Sequence, residues 1–210
     1  FFIFFRSLPS FLSSIFLVAL LIFSFSQQPP APEAEYLSLY QSAEKEYLEA
    51  ERLFLRKDYS EEQEAALNRS ALKKLLQVLP AIVANQQDSL SFLGHYMTAS
   101  LFDYFDSLNH AKEYYQYAVQ IKKRAPRLPD SMLFKPLLFI GSVHYSQHAF
   151  DSAVFYYKEA EAITDLYQQP LADEQRLYNR LGVIQYETGN YRQAKNYFEK
   201  ALSLLPVSDP

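Results

Sequence analysis

His144 and His148 stand four residues apart, the spacing at which two imidazoles on one helical face can hold a metal ion. A zinc hydrolase built on that spacing needs glutamate directly after the first histidine, and Tyr145 occupies that place. No third ligand is evident, and His148 falls where a turn is expected, so no metal site is assigned. Asp103 with Asp106, and the run Glu61, Glu62 and Glu64, are the carboxylates whose closeness could serve acid–base chemistry. Both sets read better as solvated or helix-capping acids. Asn68-Arg69-Ser70 has the form of a glycosylation acceptor but lies inside an expected helix. The chain has no cysteine, which rules out disulfides, thiolate metal sites and a cysteine nucleophile within these 210 residues. No glycine-rich phosphate loop and no nucleophile–base arrangement occurs. No catalytic, cofactor-binding or metal-binding residue is therefore assigned, and the chain is read as a non-enzyme.

Charge excludes another class. A net charge of −4 gives no general electrostatic case for nucleic acid. Lys122-Lys123-Arg124 is a short basic run at an expected helix C-terminus, where it suits the helix dipole. What remains is a chain that is 49% hydrophobic and 16% aromatic, with only four glycines, enough to bury a continuous all-α core.

The elements follow from periodicity. Tyr36, Leu37, Tyr40, Ala43, Tyr47, Ala50 and Phe54 recur at helical spacing, predicting a helix over about 33–56. Ser60, followed by three acids, is a good N-cap for a second helix that stops or kinks at Pro80. Six further helices are expected near 88–105, 108–124, 132–147, 150–165, 173–187 and 191–204. In the last pair, Gly182, Ala194, Phe198 and Ala201 lie at offsets 0, 12, 16 and 19. Gly141, Ala153, Tyr157 and Ala160 repeat those offsets, and Ala99, Ala111, Tyr115 and Ala118 repeat them again. Small residues at such points let two helices approach closely while a ring fills the space beside them.

Gln175 to Pro206 carries the further marks Tyr178, Leu181-Gly182, Gly189-Asn190, Tyr191, Ala194, Phe198, Ala201 and Pro206. This pattern resembles the tetratricopeptide repeat (TPR), a helix–turn–helix unit that stacks on copies of itself. The resemblance implies an all-α, TPR-type α-solenoid of about four helical hairpins, coiled as a right-handed superhelix. Residues 36–87 form a degenerate or capping hairpin, and 88–206 hold three repeats (about 92–125, 134–167 and 175–208). The copies lie 41 and 42 residues apart against a usual period of 34. Each junction thus carries seven or eight extra residues, expected around 124–130 and 166–173, in longer helices or longer loops. His148 and Asp106 replace the turn glycine, Gly189, in the two earlier copies.

In a TPR array the first helices line a concave groove. The positions so implied here are Tyr96, Ser100 and Asp103, then Lys135, Ser142 and Tyr145, then Arg176, Asn179 and Tyr186. Rings mixed with charged and hydrogen-bonding groups suit a protein or peptide partner. Arg176 and Arg180 resemble part of the clamp with which some TPR proteins hold a peptide carboxylate. Tyr96, Ser100 and Phe139 replace its other polar residues, so the clamp is not expected.

Residues 1–26 stand apart. Arg6 precedes an apolar run from Phe11 to Phe25, and Ser24 and Ser26 precede Gln27, the layout of a signal peptide or, failing cleavage, a membrane anchor. Residues 27–35 read as a Pro-rich linker. The expected location is the periplasm, the cell surface or the membrane, with membrane contact only through residues 1–26. An opening Phe1 and a closing Ser208-Asp209-Pro210 suggest a piece of a longer protein. Residues 128–160 and 176–202 are also similar to the repeats preceding a CHAT domain in exported bacterial proteins, and related repeats occur in sensor histidine kinases. That likeness implies an alternative, the regulatory region of a larger enzyme, in which a downstream domain of the same chain is the partner.

Overall fold

The computed structural model describes residues 33–53 and 59–205. Among them are eight α-helices and one short 3-10 helix, and no strand. The helices are α1 (Glu33–Leu53), α2 (Glu61–Ala84), α3 (Asp88–Tyr104), α4 (Leu108–Arg124), α5 (Phe134–Ser146), α6 (Phe150–Thr164), α7 (Glu174–Glu187) and α8 (Tyr191–Ser203). They pair in sequence, α1 with α2 through α7 with α8, and each pair packs on the next. Residues 1–32, where the signal or anchor segment is expected, and Pro206 to Pro210 lie outside the described residues.

Each helix presents one stripe to this stack. On α1 the buried residues are Tyr36, Tyr40, Ala43, Tyr47, Ala50 and Leu53, spaced three and four apart. Ser60 caps α2, its side chain accepting from the Gln63 amide at 3.4 Å. Pro80 neither stops nor ends that helix, which continues to Ala84. Proline leaves the Leu76 carbonyl without its helical donor, but Pro80 and Leu76 both face solvent, where water satisfies it.

The small-residue spacing does what the helix approach requires. A Cβ added to Gly141 would lie 2.5 Å from the Tyr157 ring, and one added to Gly182 would lie 2.6 Å from the Phe198 ring. Ala99 and Tyr115 fill the matching places in the second hairpin, both fully buried. Ala111, Ala118, Ala153, Ala160 and Ala194 are buried to within 2% exposure, so both helices of each hairpin meet over alanine-sized gaps.

The turns share one geometry without sharing a residue. Asp106 (φ 55°), His148 (φ 57°) and Gly189 (φ 81°) all lie in the left-handed region. At each, two amides reach back to the helix end: Asp106 N–H to Asp103 O and Ser107 N–H to Phe102 O, for example, at 2.9 and 2.8 Å. That pairing satisfies the last carbonyls of the helix. Asp and His adopt this backbone more readily than most non-glycine residues.

The extra residues sit in loops. Helices α4 and α6 end at Arg124 and Thr164, and the long junctions 125–133 and 165–173 carry the excess. The first includes the 3-10 turn Asp130–Leu133.

Candidate functional site: the face shared by the first helices

Helices α3, α5 and α7 place their first-helix faces side by side, and the charges on them interact across the stack. The Asp103 carboxyl, on α3, is raised above the ordinary carboxylate range by burial, opposed by Arg176 on α7 and reinforced by Asp106. Burial likewise raises the Tyr96 phenol, which Glu51, Asp173 and Arg176 also influence.

Aromatic rings line this face, backed by the buried Tyr115 of α4. Tyr96 lies 5.9 Å from Tyr115, and Tyr115 stacks on Phe139 at 5.2 Å with planes 2° apart. The Arg176 guanidinium covers Phe139 at 5.6 Å, and Arg180 covers Tyr145 at 5.5 Å. Cations on aromatic faces are held in place while their edges stay available to a ligand. Asp173 holds Lys135 at 3.1 Å and Arg176 more loosely at 3.9 Å. Tyr145 donates its hydroxyl to Glu187 at 2.9 Å.

Of the nine groove residues expected from sequence, Tyr96, Ser100, Asp103, Lys135, Ser142 and Tyr145 are half-buried, and Arg176 is exposed among its aromatic neighbours. Ser100 accepts from Tyr47 at 3.3 Å. Ser142 donates to the Leu138 carbonyl and accepts from Tyr157, so its hydroxyl is engaged within its own hairpin. One residue stands elsewhere: Tyr186 is 60% exposed and packs edge-on against Tyr191 at the α7–α8 tip. Asn179 is exposed and borders, together with Arg176, a crevice formed with Phe198, Leu202 and Leu205 of the last hairpin. Tyr47 and Tyr115 are packing residues, as their spacing predicts, and support the face from behind; spacing missed Asp173, which reads as part of a loop.

The other chemistry-bearing residues separate. Helix α5 ends at Ser146, so His148 sits in the turn rather than one helical step beyond His144. His144 stacks on Tyr156 at 5.3 Å, and His148 meets Phe150 edge-on. No group of three potential metal ligands occurs among the described residues. Asn68, the possible glycosylation acceptor, is only 5% exposed. Lys122 stands in the last turn of α4, as expected, and is buried there and paired with Asp130 at 2.7 Å.

Asp103 yields a pH prediction. Its folded-state pKa is raised, mainly by burial, so the folded protein binds this proton more readily than the unfolded chain does. The ionised carboxylate then costs stability above its folded pKa, and that cost is relieved as pH falls toward the ordinary value. Asp103→Asn is expected to raise the melting temperature at pH 7 and to give no gain at about pH 2.5, where both states are protonated. A lower melting temperature at pH 7 would mean that attraction to Arg176 outweighs burial.

Residues 175–206 match the family model of the tetratricopeptide repeat. Among solved structures, the crystal structure of BtubC (BKLC) from P. vanneervenii is similar over 83% of this chain and 76% of that one, with a TM-score of 0.59 and 21% identity. MamA from Desulfovibrio magneticus RS-1 (residue 41 to the end) is similar over 80% and 98%, with a TM-score of 0.44 and 13% identity. The apo form of RapI is similar over 80% and 59%, with a TM-score of 0.44 and 14% identity. No curated protein matches. The likeness to BtubC bears on fold alone, and the other two are too loose to carry an argument. The chain has a TPR-like helical repeat fold, consistent with a protein-interaction scaffold.

Proposed function

We propose that this chain is a non-catalytic interaction scaffold whose first-helix face binds an extended segment of a protein, either a separate partner or an adjoining domain. The observation that supports this most is the row of Tyr96, Phe139 and Tyr145, with Arg176 over Phe139 and Arg180 over Tyr145, backed from inside by the buried Tyr115. Pre-positioned aromatic and arginine side chains give contact area at low entropic cost, the usual makeup of binding hot spots. The face carries Glu51, Asp103 and Asp106 toward α1 and α3, and Lys135, Arg176 and Arg180, partly offset by Asp173 and Glu187, toward α5 and α7, a polarity that would orient a bound segment.

The intact chain should enrich peptides from a random displayed library. Arg176→Ala and Tyr145→Ala should each weaken the enriched peptides about tenfold or more, whereas Tyr117→Ala on α4 should leave them unchanged. An empty selection, or peptides sensitive only to Tyr117→Ala, would overturn the reading.

The apolar run 11–25 supports a proposal of export or membrane anchoring. Fusing residues 1–35 to a reporter that works only outside the cytoplasm should give activity. A silent but stable fusion would end that proposal.

A further inference from the structure

Helices α1 and α3 touch, and as alternate members of an up-and-down stack they run the same way. Tyr47 of α1 marks where they meet, its hydroxyl lying 3.3 Å from the Ser100 hydroxyl of α3. One turn further along each helix comes a carboxylate, Glu51 on α1 and Asp103 on α3. The two acids therefore stand side by side just past the Tyr47–Ser100 contact. Glu51 accepts the Tyr47 hydroxyl at 2.8 Å. The Asp103 carboxylate is half-buried and makes no hydrogen bond or ion pair among the described residues.

A second group here also lacks a partner. The Tyr115 side chain is fully buried and its hydroxyl is unsatisfied. The Ser100 hydroxyl is near it but beyond good hydrogen-bond geometry, and Tyr96, Asp103 and Tyr47 lie further out. Buried polar groups are ordinarily paired, so two unpaired ones around Ser100 mark the cluster as incomplete. Tyr96 closes its other side, with its ring 5.9 Å from that of Tyr115.

The charge around the cluster is negative. Glu51, Asp103, Asp106 and Asp173 outnumber the cations Lys135 and Arg176. Asp173 holds Lys135, and Arg176 lies between Asp173 and the Phe139 ring, which keeps both cations on the α5–α7 side. Arg176 reaches Asp103 through its field alone, without an ion pair. Arg52, beside Glu51 in sequence, stands about 100° round α1 from it.

We propose that Glu51, Ser100 and Asp103, flanked by Tyr47 and Tyr96, form a slot for one lysine side chain of the bound partner segment. The ammonium sits between the two carboxylates, with the Ser100 hydroxyl as its third acceptor. The proposal rests on the peptide-binding reading above. An ammonium is a compact charge with three donors, which suits acceptors spread over two helices. The flat fork of arginine instead matches both oxygens of one carboxylate. Tyr96 gives the apolar stem of the lysine a ring to lie against.

The test uses peptides enriched from the displayed library by the intact chain, which should share a lysine. In each peptide, replacing that lysine by glutamine should weaken binding about tenfold, and replacing it by arginine severalfold. Against Asp103→Asn the lysine and glutamine forms should bind within about twofold of each other, and Glu51→Gln should narrow the gap in the same way. Asp103→Asn should lose this affinity while its melting temperature at pH 7 rises, a combination that a merely structural role would not give. Glu62→Gln, at an exposed acid on α2, should leave the gap unchanged, which separates the slot from the general pull of an acidic protein on a basic peptide. Peptides without a shared lysine, or a lysine preference that survives in both Asp103→Asn and Glu51→Gln, would overturn the slot. The binding face would still stand if those peptides were lost in Arg176→Ala. An empty selection would remove both.

Discussion

Tyr115→Ala is expected to cost about 3–5 kcal/mol in chemical unfolding followed by circular dichroism, the range for emptying a large aromatic site in a packed core. The ring is fully buried in the hollow left by Ala99 and is stacked on Phe139. It joins the second hairpin to the third, and few neighbours can move to refill the space. Tyr115→Phe should behave in the opposite way. The Tyr115 hydroxyl is buried with only the Ser100 hydroxyl near it, beyond good hydrogen-bond geometry, so its removal gives up at most a weak bond and removes a desolvation cost. Phenylalanine is expected to be neutral or stabilising by up to about 1 kcal/mol. The equivalent Tyr157 differs, since its hydroxyl donates to Ser142 at 3.2 Å. Tyr157→Phe should therefore lose about 1 kcal/mol. A clear loss in Tyr115→Phe would reveal an acceptor for that hydroxyl. Tyr115→Ala also tests function, because Phe139 loses its backing and the Arg176 platform loosens.

Three copies of one spacing were readable because close packing allows little freedom: only glycine or alanine fits opposite Tyr115, Tyr157 and Phe198. The turns were less readable. Asp106 and His148 hide a left-handed backbone that Gly189 announces, because aspartate and histidine reach it at modest cost. Pro80 does not stop its helix, and for a related reason: on the solvent side, the carbonyl it leaves without a donor is open to water. Spacing carried the groove positions only as far as the helix geometry did. Tyr186 stands one residue before the end of α7, so it goes to the hairpin tip with Tyr191.

The burial of Lys122 and Glu174 was hidden for a different reason. Lys122 looks like a cation suited to a helix C-terminus, and Glu174 like an acid in a first turn; both descriptions hold, yet neither implies burial. What buries them is the path of loops whose composition says only that helices break there. Local chemistry named these residues correctly, and tertiary packing decided what they do.

Gly141→Val carries the second large effect, an expected loss of about 3 kcal/mol, the upper part of the usual overpacking range. The added Cβ alone would lie 2.5 and 2.6 Å from two atoms of the Tyr157 ring, and valine adds two further carbons. Tyr157 has nowhere to go, being fully buried and bonded through its hydroxyl to Ser142. Gly141→Ala should cost only about 1 kcal/mol net, because alanine returns about 1 kcal/mol of helix propensity. Gly182→Ala should cost less again, since Phe198 is half-exposed on the last hairpin and can swing aside. The cause is checked by a double variant. If the clash with the ring is responsible, Tyr157→Leu should cost far less in the Gly141→Val background than in the parent, giving a coupling above about 1 kcal/mol. Additive losses would show that the two helices do not meet at Gly141, and the close-approach account of the hairpins would fail with them.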